Sequence, residues 1–322
     1  MNIAVTGATG TLGKAIMFRL REAGYSVIGI GRNQSKINDM QNQNFVMRTC
    51  DIMNLAELTA AVKNCDVIIH CAAYAAPFGS KKRFFQTNVE GTKNVYMAGQ
   101  QNSVSRIVMV SSASIFDRMN HDKPHADETP ELKFRPKHHY GASKYDAELF
   151  CLSQPKDQWI GLRPRAVFGI GDQTLLPRLK RLIGKNNYRT IGNGEGLIDV
   201  TCLSNFVDAV CLAIEAPESS LGKFYNISNG DPRTFNSIMQ TYTDKLPGNY
   251  RQRKLPYWPI FLLAHITSAV ASIIPGKPFE PTLTPYGLRQ VTGSLTLDIS
   301  GAKAALDWQP TKTFEQGMEE LE

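Results

Sequence analysis

The sequence predicts a doubly wound parallel α/β sheet followed by a smaller, mostly helical part. Three observations carry that prediction. Strand-like runs at residues 2–5, 26–30, 45–48, 67–70, 106–110 and 159–162 alternate with helix-like segments at 14–23, 55–63, 82–102 and 143–153, the order that builds a parallel sheet with crossover helices. The runs are apolar without alternation, as expected of strands covered on both faces. The chain also opens on strand, glycine turn and helix, which makes the arrangement a Rossmann-type expectation.

The opening stretch is MNIAVTGATGTLG. Gly7 permits a tight turn, Gly10 lets a pyrophosphate approach the backbone, and Gly13 lets helix pack on strand. Thr9, Thr11 and Leu12 ride on the same turn as cofactor-binding candidates. The helix N-terminus then offers free N–H groups and a positive dipole end to phosphates. At the end of the second run the first charged residue is Arg32 rather than an acid, which suits a 2′-phosphate and favours NADP over NAD. Asp51 follows the third run, placed to accept from an adenine amino group with Ile52 packing nearby. Equally, it could cap the helix that starts near Asn54.

Ser111 and Ser112 close the fifth run, and residues just past the carboxyl ends of parallel strands face the ligand crevice. Tyr140 and Lys144 stand four apart in YGASK, on one face of a helix. A nearby ammonium is expected to lower the phenol pKa, so that the tyrosine exchanges a proton with a substrate oxygen near neutral pH.

After residue 163 the regularity weakens. Helices are expected at 175–184, 203–216 and 234–245 and strands at 198–202 and 224–227. Prolines and glycines crowd the rest. The expected division is 1–170 for dinucleotide binding, with 198–230 returning to it, and 171–197 plus 231–322 for substrate. Residues 255–276 hold no Asp, Glu, Lys or Arg, with Arg251, Arg253, Lys254 and Lys277 beside them. The prolines, His265, Thr267, Ser268 and Ser272 argue against a span. A lid over an apolar pocket, or a helix lying on a membrane surface, remains.

With 322 residues, 42% hydrophobic and 20% charged, the chain can bury a sizeable core. Its formal charge is +7, yet there is no run of five or six Lys/Arg, so nucleic acid is not an expected partner. The excess suits an anionic cofactor or an acidic membrane surface. Six cysteines include no C-x-x-C pair, which predicts buried free thiols, a reducing compartment and no metal. A strand beginning at residue 2 leaves no room for a signal peptide, so a cytoplasmic location is expected.

In order, the glycine turn, Asp51, His70-Cys71-Ala72-Ala73, Asn88-Val89-Glu90-Gly91-Thr92, Val110-Ser111-Ser112, Tyr140-x-x-x-Lys144 and Leu162-Arg163-Pro164 make the chain resemble the extended short-chain dehydrogenase/reductase superfamily, over nearly its whole length. Residues 191–199, 255–258, 297–300 and 306–310 look most like its 3β-hydroxysteroid dehydrogenase branch, including bacterial reductases of long β-keto acids. The resemblance implies that Tyr140 is the acid/base, Lys144 its partner and a ribose ligand, and Ser112 the carbonyl-orienting hydroxyl. It implies that Cys71, Ala72 and Ala73 line the cofactor and that Pro164 and Val167 flank the nicotinamide. Asn88 is expected to fix the long helix to the neighbouring strand. Cys71 and the pair Arg165-Ala166 depart from the common pattern, and Arg165 is expected to alter the substrate side.

The leading expectation is an NADP-linked oxidoreductase interconverting a ketone and a secondary alcohol on a sterol-like or long acyl substrate. A nucleotide-sugar epimerase or dehydratase is the alternative, and it needs a diphosphate clamp for which Arg178, Arg181 and Arg189 are candidates. A non-catalytic NADP-binding sensor is the third reading. A homodimer paired through two long helices per subunit is implied by the resemblance.

Overall fold

The computed structural model describes residues 1–117, 123–126, 135–273, 281 and 283–321. The chain runs β1 (Asn2–Thr6), α1 (Thr11–Glu22), β2 (Ser26–Gly31), α2 (Gln34–Gln41), β3 (Val46–Thr49), α3 (Leu55–Ala61), β4 (Val67–His70), α4 (Lys81–Phe85), α5 (Gly91–Gln101), β5 (Arg106–Val110), β6 (Lys123–Ala126), α6 (His139–Leu152) and β7 (Trp159–Pro164). It continues with β8 (Val167–Phe168), α7 (Leu176–Arg181), β9 (Asn187–Ile191), β10 (Leu197–Ile198), β11 (Thr201–Cys202), α8 (Leu203–Ile214), β12 (Phe224–Ile227), β13 (Arg233–Thr234) and α9 (Phe235–Asp244). The last elements are β14 (Arg251–Leu255), α10 (Tyr257–Ile273), α11 (Pro285–Thr292), β15 (Leu295–Leu297), α12 (Ser300–Leu306) and α13 (Phe314–Glu319).

Seven parallel strands form the main sheet in the order β12-β7-β5-β4-β1-β2-β3. Strand order reverses between β1 and β4, where Thr6 sits beside His70. That is the switch point at which such sheets bind ligands. Burial explains the unbroken apolar runs. Ile3 and Val5 of β1 pack with Ile16, Met17 and Leu20 of α1 and Phe206 of α8. Ala4, between them, faces Leu58 of α3 and Val95 of α5.

The expected helix over 82–102 is continuous but changes winding. Gln86–Glu90 is a π-helical turn between α4 and α5, a distortion that often marks functional sites. It carries Asn88, which is fully buried. Two expected strand residues, 199 and 200, instead form a break between β10 and β11. Helix α2 and the short elements after residue 245 were not anticipated.

In the later part, β13-β10-β15-β6 makes a small sheet and β14 pairs with β9. A third apolar cluster lies beneath it, including Phe168, Leu179, Ile198, Phe235, Ile238 and Phe314. Helix α10 presents Trp258, Leu262, Ile266, Val270 and Ile273 to solvent, 48–79% exposed. No helix of the described residues is long and apolar enough to cross a membrane. Residues 274–276 of the apolar stretch lie outside the described residues.

Candidate active site

A cavity of about 430 Å³ opens at the switch point. Its near wall is backbone. Gly7 has φ +69°, and a Cβ there would stand 2.7 Å from the Ala72 nitrogen. A Cβ on Gly13 would stand 2.3 Å from the Gly7 carbonyl oxygen. Both positions therefore require glycine. Gly10 caps α1 with no side-chain hydrogen bond, so the first N–H groups of the helix stay available for a pyrophosphate. The Thr11 hydroxyl donates to the Gly171 carbonyl at 2.8 Å, bringing the loop after β8 over this cradle. The cradle fits a dinucleotide.

The cavity wall includes Gly7, Gly10, Thr11, Leu12, Gly13, Cys71, Ala73, Ser111, Ser112, Tyr140, Lys144, Pro164 and Val167, every one a residue the sequence points to. Thr9 packs instead against Gly31. The Ala72 N–H donates to the Thr6 hydroxyl at 3.3 Å, behind the wall. Ile52 is buried in the core and its carbonyl accepts from Asn94 at 2.9 Å. Arg32 and Asp51 stand outside, paired at 3.3 Å with both side chains substantially exposed. Asp51 does not cap α3; Asn54 does, accepting from Glu57 N–H, while Asp51 accepts from Met53 N–H at 3.0 Å.

Lys144 is buried and its ammonium donates to the Val110 carbonyl at 2.7 Å. Burial pulls its pKa down to about 8, against the raising influence of Cys71, Glu148 and Cys151. The Tyr140 phenol behaves differently from the expectation. Burial raises its pKa above the usual 10, and a hydrogen bond with Ser112 only partly offsets that. Among the described residues, the lysine's hydrogen bond goes to Val110 and not to the phenol. The Tyr140 phenol is therefore neutral near neutral pH.

Around these groups lies a polar scaffold, of which the sequence pointed to Asn88 and Ser111 but not to His138 or Glu148. His138 caps α6, its Nδ1 accepting from Tyr140 N–H at 3.3 Å while its ring stacks on Tyr286 at 3.8 Å. Burial lowers the His138 pKa to about 4, so the imidazole stays neutral and keeps its acceptor. Asn88 accepts from Tyr74 N–H at 2.7 Å and donates to Ser143 at 2.9 Å. It thus ties the loop after β4 to α6, a wider tether than the expected one. The Ser111 hydroxyl donates to Glu148, and Glu148 is clasped by Arg163 through Nε at 2.9 Å and Nη2 at 2.7 Å. Both charged partners are buried.

A family model described as NAD dependent epimerase/dehydratase family matches residues 3–228. The chain belongs to that family. Within the extended short-chain dehydrogenase/reductase superfamily, the 2-alkyl-3-oxoalkanoate reductase of Stenotrophomonas maltophilia (strain K279a) is 28% identical over 100% of this chain and 98% of its own length. The sterol-4-alpha-carboxylate 3-dehydrogenase, decarboxylating, of Mus musculus is 28% identical, covering 98% of this chain and 88% of the relative. Among solved structures, the UDP-glucuronic acid 4-epimerase from Bacillus cereus in complex with NAD aligns with a TM-score of 0.75 at 19% identity, over 100% of this chain and 97% of the other. At that identity the likeness speaks for the fold.

The far wall of this family member's cavity comes from later elements. Leu179 and Leu182 lie on or just after α7, Ile198 on β10, Phe235 and Ile238 on α9, and Val291 on α11. Arg165, Arg178, Tyr286 and Gln290 add polar groups there, and Asp172, Gln173 and Thr174 join them from the loop before α7. Arg181 and Arg189 are not on the wall. Helix α10 does not line the cavity either, which removes its expected role as a lid among the described residues; it packs on α11, which does line it.

Proposed function

We propose that the protein interconverts a ketone and a secondary alcohol on an apolar substrate, using NADP(H). One observation carries this: Ser112, Tyr140 and Lys144 share a cavity with the glycine cradle, opposite a wall of aliphatic and aromatic side chains. Nicotinamide, when bound, supplies the hydride for the carbonyl carbon. Tyr140 gives its phenolic proton to the carbonyl oxygen, and Ser112 holds that oxygen by a hydrogen bond. Lys144 offers its remaining N–H groups to the ribose and keeps positive charge beside the developing phenolate. Oxidation of the alcohol uses the same groups in reverse.

The apolar wall supports a sterol-like or long acyl β-keto or β-hydroxy substrate, the chemistry for which the two relatives are named. Arg178 on the wall favours the second reading, a nucleotide-sugar epimerase or dehydratase. That reading needs a multidentate diphosphate clamp, and Arg181 and Arg189 do not contribute to one in this cavity. A sensor has no use for an intact proton-donating trio.

NADP is favoured because no acid ends β2 and because, among the described residues, Arg32 is tied only to Asp51 by an exposed pair, an interaction worth about 0–1 kcal/mol. Residues 1–170 with 198–230 are assigned to the cofactor, and 171–197 with 231–322 to the substrate. Met97 on α5 and Leu149 and Leu152 on α6 are exposed, which supports a homodimer paired through these helices. Light scattering of Leu149→Lys should then show monomers. The exposed stripe of α10 beside exposed Arg251, Arg253 and Lys254 of β14 supports a cytoplasmic enzyme touching an anionic membrane face. Sedimentation with anionic but not zwitterionic vesicles is expected, weakened by Trp258→Glu.

The deciding experiment scores NADPH oxidation with β-keto acids, ketosteroids and nucleotide sugars side by side. Turnover of the first or second class is expected. Response to nucleotide sugars alone would overturn the reading.

A further inference from the structure

Two arginines stand two residues apart at the end of β7 and meet opposite fates. Arg163 presents its Nε and Nη2 edge to Glu148, the paired geometry that grips a carboxylate. Arg165 is equally enclosed, 6% exposed, and lines the cavity. Its Nη1 donates to the Gln290 side-chain oxygen. Among the described residues its Nε is buried without a partner, and neither Nε nor Nη2 meets an acid. The edge that Arg163 fills with Glu148 carries no acid on Arg165 among the described residues.

The surroundings keep that edge in want of an anion. Asp117 accepts from the Gln290 amide at 3.1 Å and Gln290 accepts from Arg165, so Gln290 stands between the two charges. The Asp199 carboxylate is engaged by the Leu297 N–H. Arg165 feels Asp117 and Asp199 as the opposing carboxylates among the described residues, and neither of them pairs with it directly. A buried guanidinium short of a counter-charge is costly in the empty protein, and a ligand anion relieves that cost. Tyr286 links the corner to the chemistry: it lies on the same wall, senses both Arg165 and Tyr140, and stacks on the His138 cap of α6.

We propose that the Arg165 Nε/Nη2 edge binds a carboxylate on the substrate, placed β to the reacting carbonyl. This rests on the ketone-reductase reading and narrows it to 3-oxo acids and their 3-hydroxy products. With the carbonyl oxygen at Ser112 and Tyr140 and the carboxylate at Arg165, the alkyl chain is left for the apolar wall around Leu179, Ile198 and Phe235. The carboxylate is unchanged in the reaction. Hydride adds to the carbonyl carbon, the oxygen takes the Tyr140 proton, and oxidised cofactor and a 3-hydroxy acid leave.

The test compares 3-oxotetradecanoate with its methyl ester in wild type and Arg165→Gln, following NADPH oxidation. Arg165→Gln should cut kcat/KM for the acid about 30–100-fold, mostly through KM, and the ester less than about threefold, as expected for loss of a charge-assisted pair. Arg165→Lys should recover part of the loss. Equal losses for acid and ester, or none for the acid, overturn the proposal. Calorimetry on the wild-type protein with NADP supplies a measure free of turnover and of variant folding. Binding of 3-hydroxytetradecanoate at least about tenfold tighter than its methyl ester supports the carboxylate site, and equal binding refutes it. Absence of any ketone turnover would sink the reductase reading, while this binding ratio still decides the fate of Arg165. An effect of Arg165→Gln on nucleotide-sugar binding instead would assign the edge to a phosphate.

Discussion

The two ends of the cavity are built from different materials. At the cofactor end the wall is mainly main chain, shaped by Gly7, Gly10 and Gly13 at one βα turn and backed by strands buried on both faces. At the opposite end, the one proposed for substrate, it is side chains from α7, β10, α9 and α11, set beside small sheets of two to four strands. A backbone cradle has little freedom to change, because its shape is fixed by φ angles and close approaches. A wall of side chains can be repainted one residue at a time. The family's shared cofactor chemistry and varied substrates follow from that contrast.

The contrast is most sharply tested where the two ends meet. Tyr140→Phe removes the proton donor but keeps the ring in place, so turnover should fall by about 10²–10⁴-fold. Cofactor affinity, measured by NADPH fluorescence titration, should stay within about twofold. Full activity in this variant would end the proposed mechanism. Loss of cofactor affinity would show that the two ends are not separable.

The next effect is on the scaffold. Glu148→Ala leaves the buried Arg163 guanidinium without its carboxylate and the Ser111 hydroxyl without its acceptor. Breaking a buried pair costs about 3–5 kcal/mol, so urea unfolding should show a loss of that size. A loss under about 1 kcal/mol would mean that water or a neighbour takes over, and that the cofactor end is softer than its burial implies.

What could be read from the chain follows the same divide. Strand–turn–helix, the Tyr140/Lys144 spacing and the serines after β5 are local in sequence, and each of these site residues except Thr9 reaches the cavity wall. Thr9, Arg32, Asp51, Ile52 and Ala72 lie near the motif yet behind or outside that wall, because spacing names a turn without saying which way each side chain points. The Tyr140 pKa shifts opposite to the expected direction for a related reason. An i, i+4 pair predicts proximity, whereas Val110, 34 residues away from Lys144, takes the ammonium. Tyr286 and Gln290 gave no signal, since α11 is brought to Arg165 by tertiary packing across 125 residues.

Lys144 offers a pH test of its own. Its pKa of about 8 lies below the ordinary 10.5 because burial disfavours the charge. It is therefore charged below about pH 8 and loses that charge above. Reduction needs the charged lysine beside the phenol, so kcat/KM, which reports the free enzyme, should be level below about pH 8 and fall up to tenfold per unit above it. Lys144→Met should be slow throughout and lack that limb. A limb near 10.5 would indicate a lysine hydrated in solution and a cavity more open than described.

The smallest expected effect concerns the rim of the cofactor end, where side chains rather than backbone choose the ligand. Arg32 and Asp51 are both substantially exposed, so their pairing adds about 0–1 kcal/mol and Arg32→Ala should leave the unfolding midpoint almost unchanged. The same change removes the positive charge offered to a 2′-phosphate. The ratio of kcat/KM with NADPH to that with NADH should then drop by about tenfold, the loss of one partly screened charge-assisted contact. The drop should come from KM for NADPH and shrink in high salt. An unchanged ratio would mean that cofactor choice, like the glycine cradle, is made by the backbone, and the rim would then belong with the rigid end of the cavity.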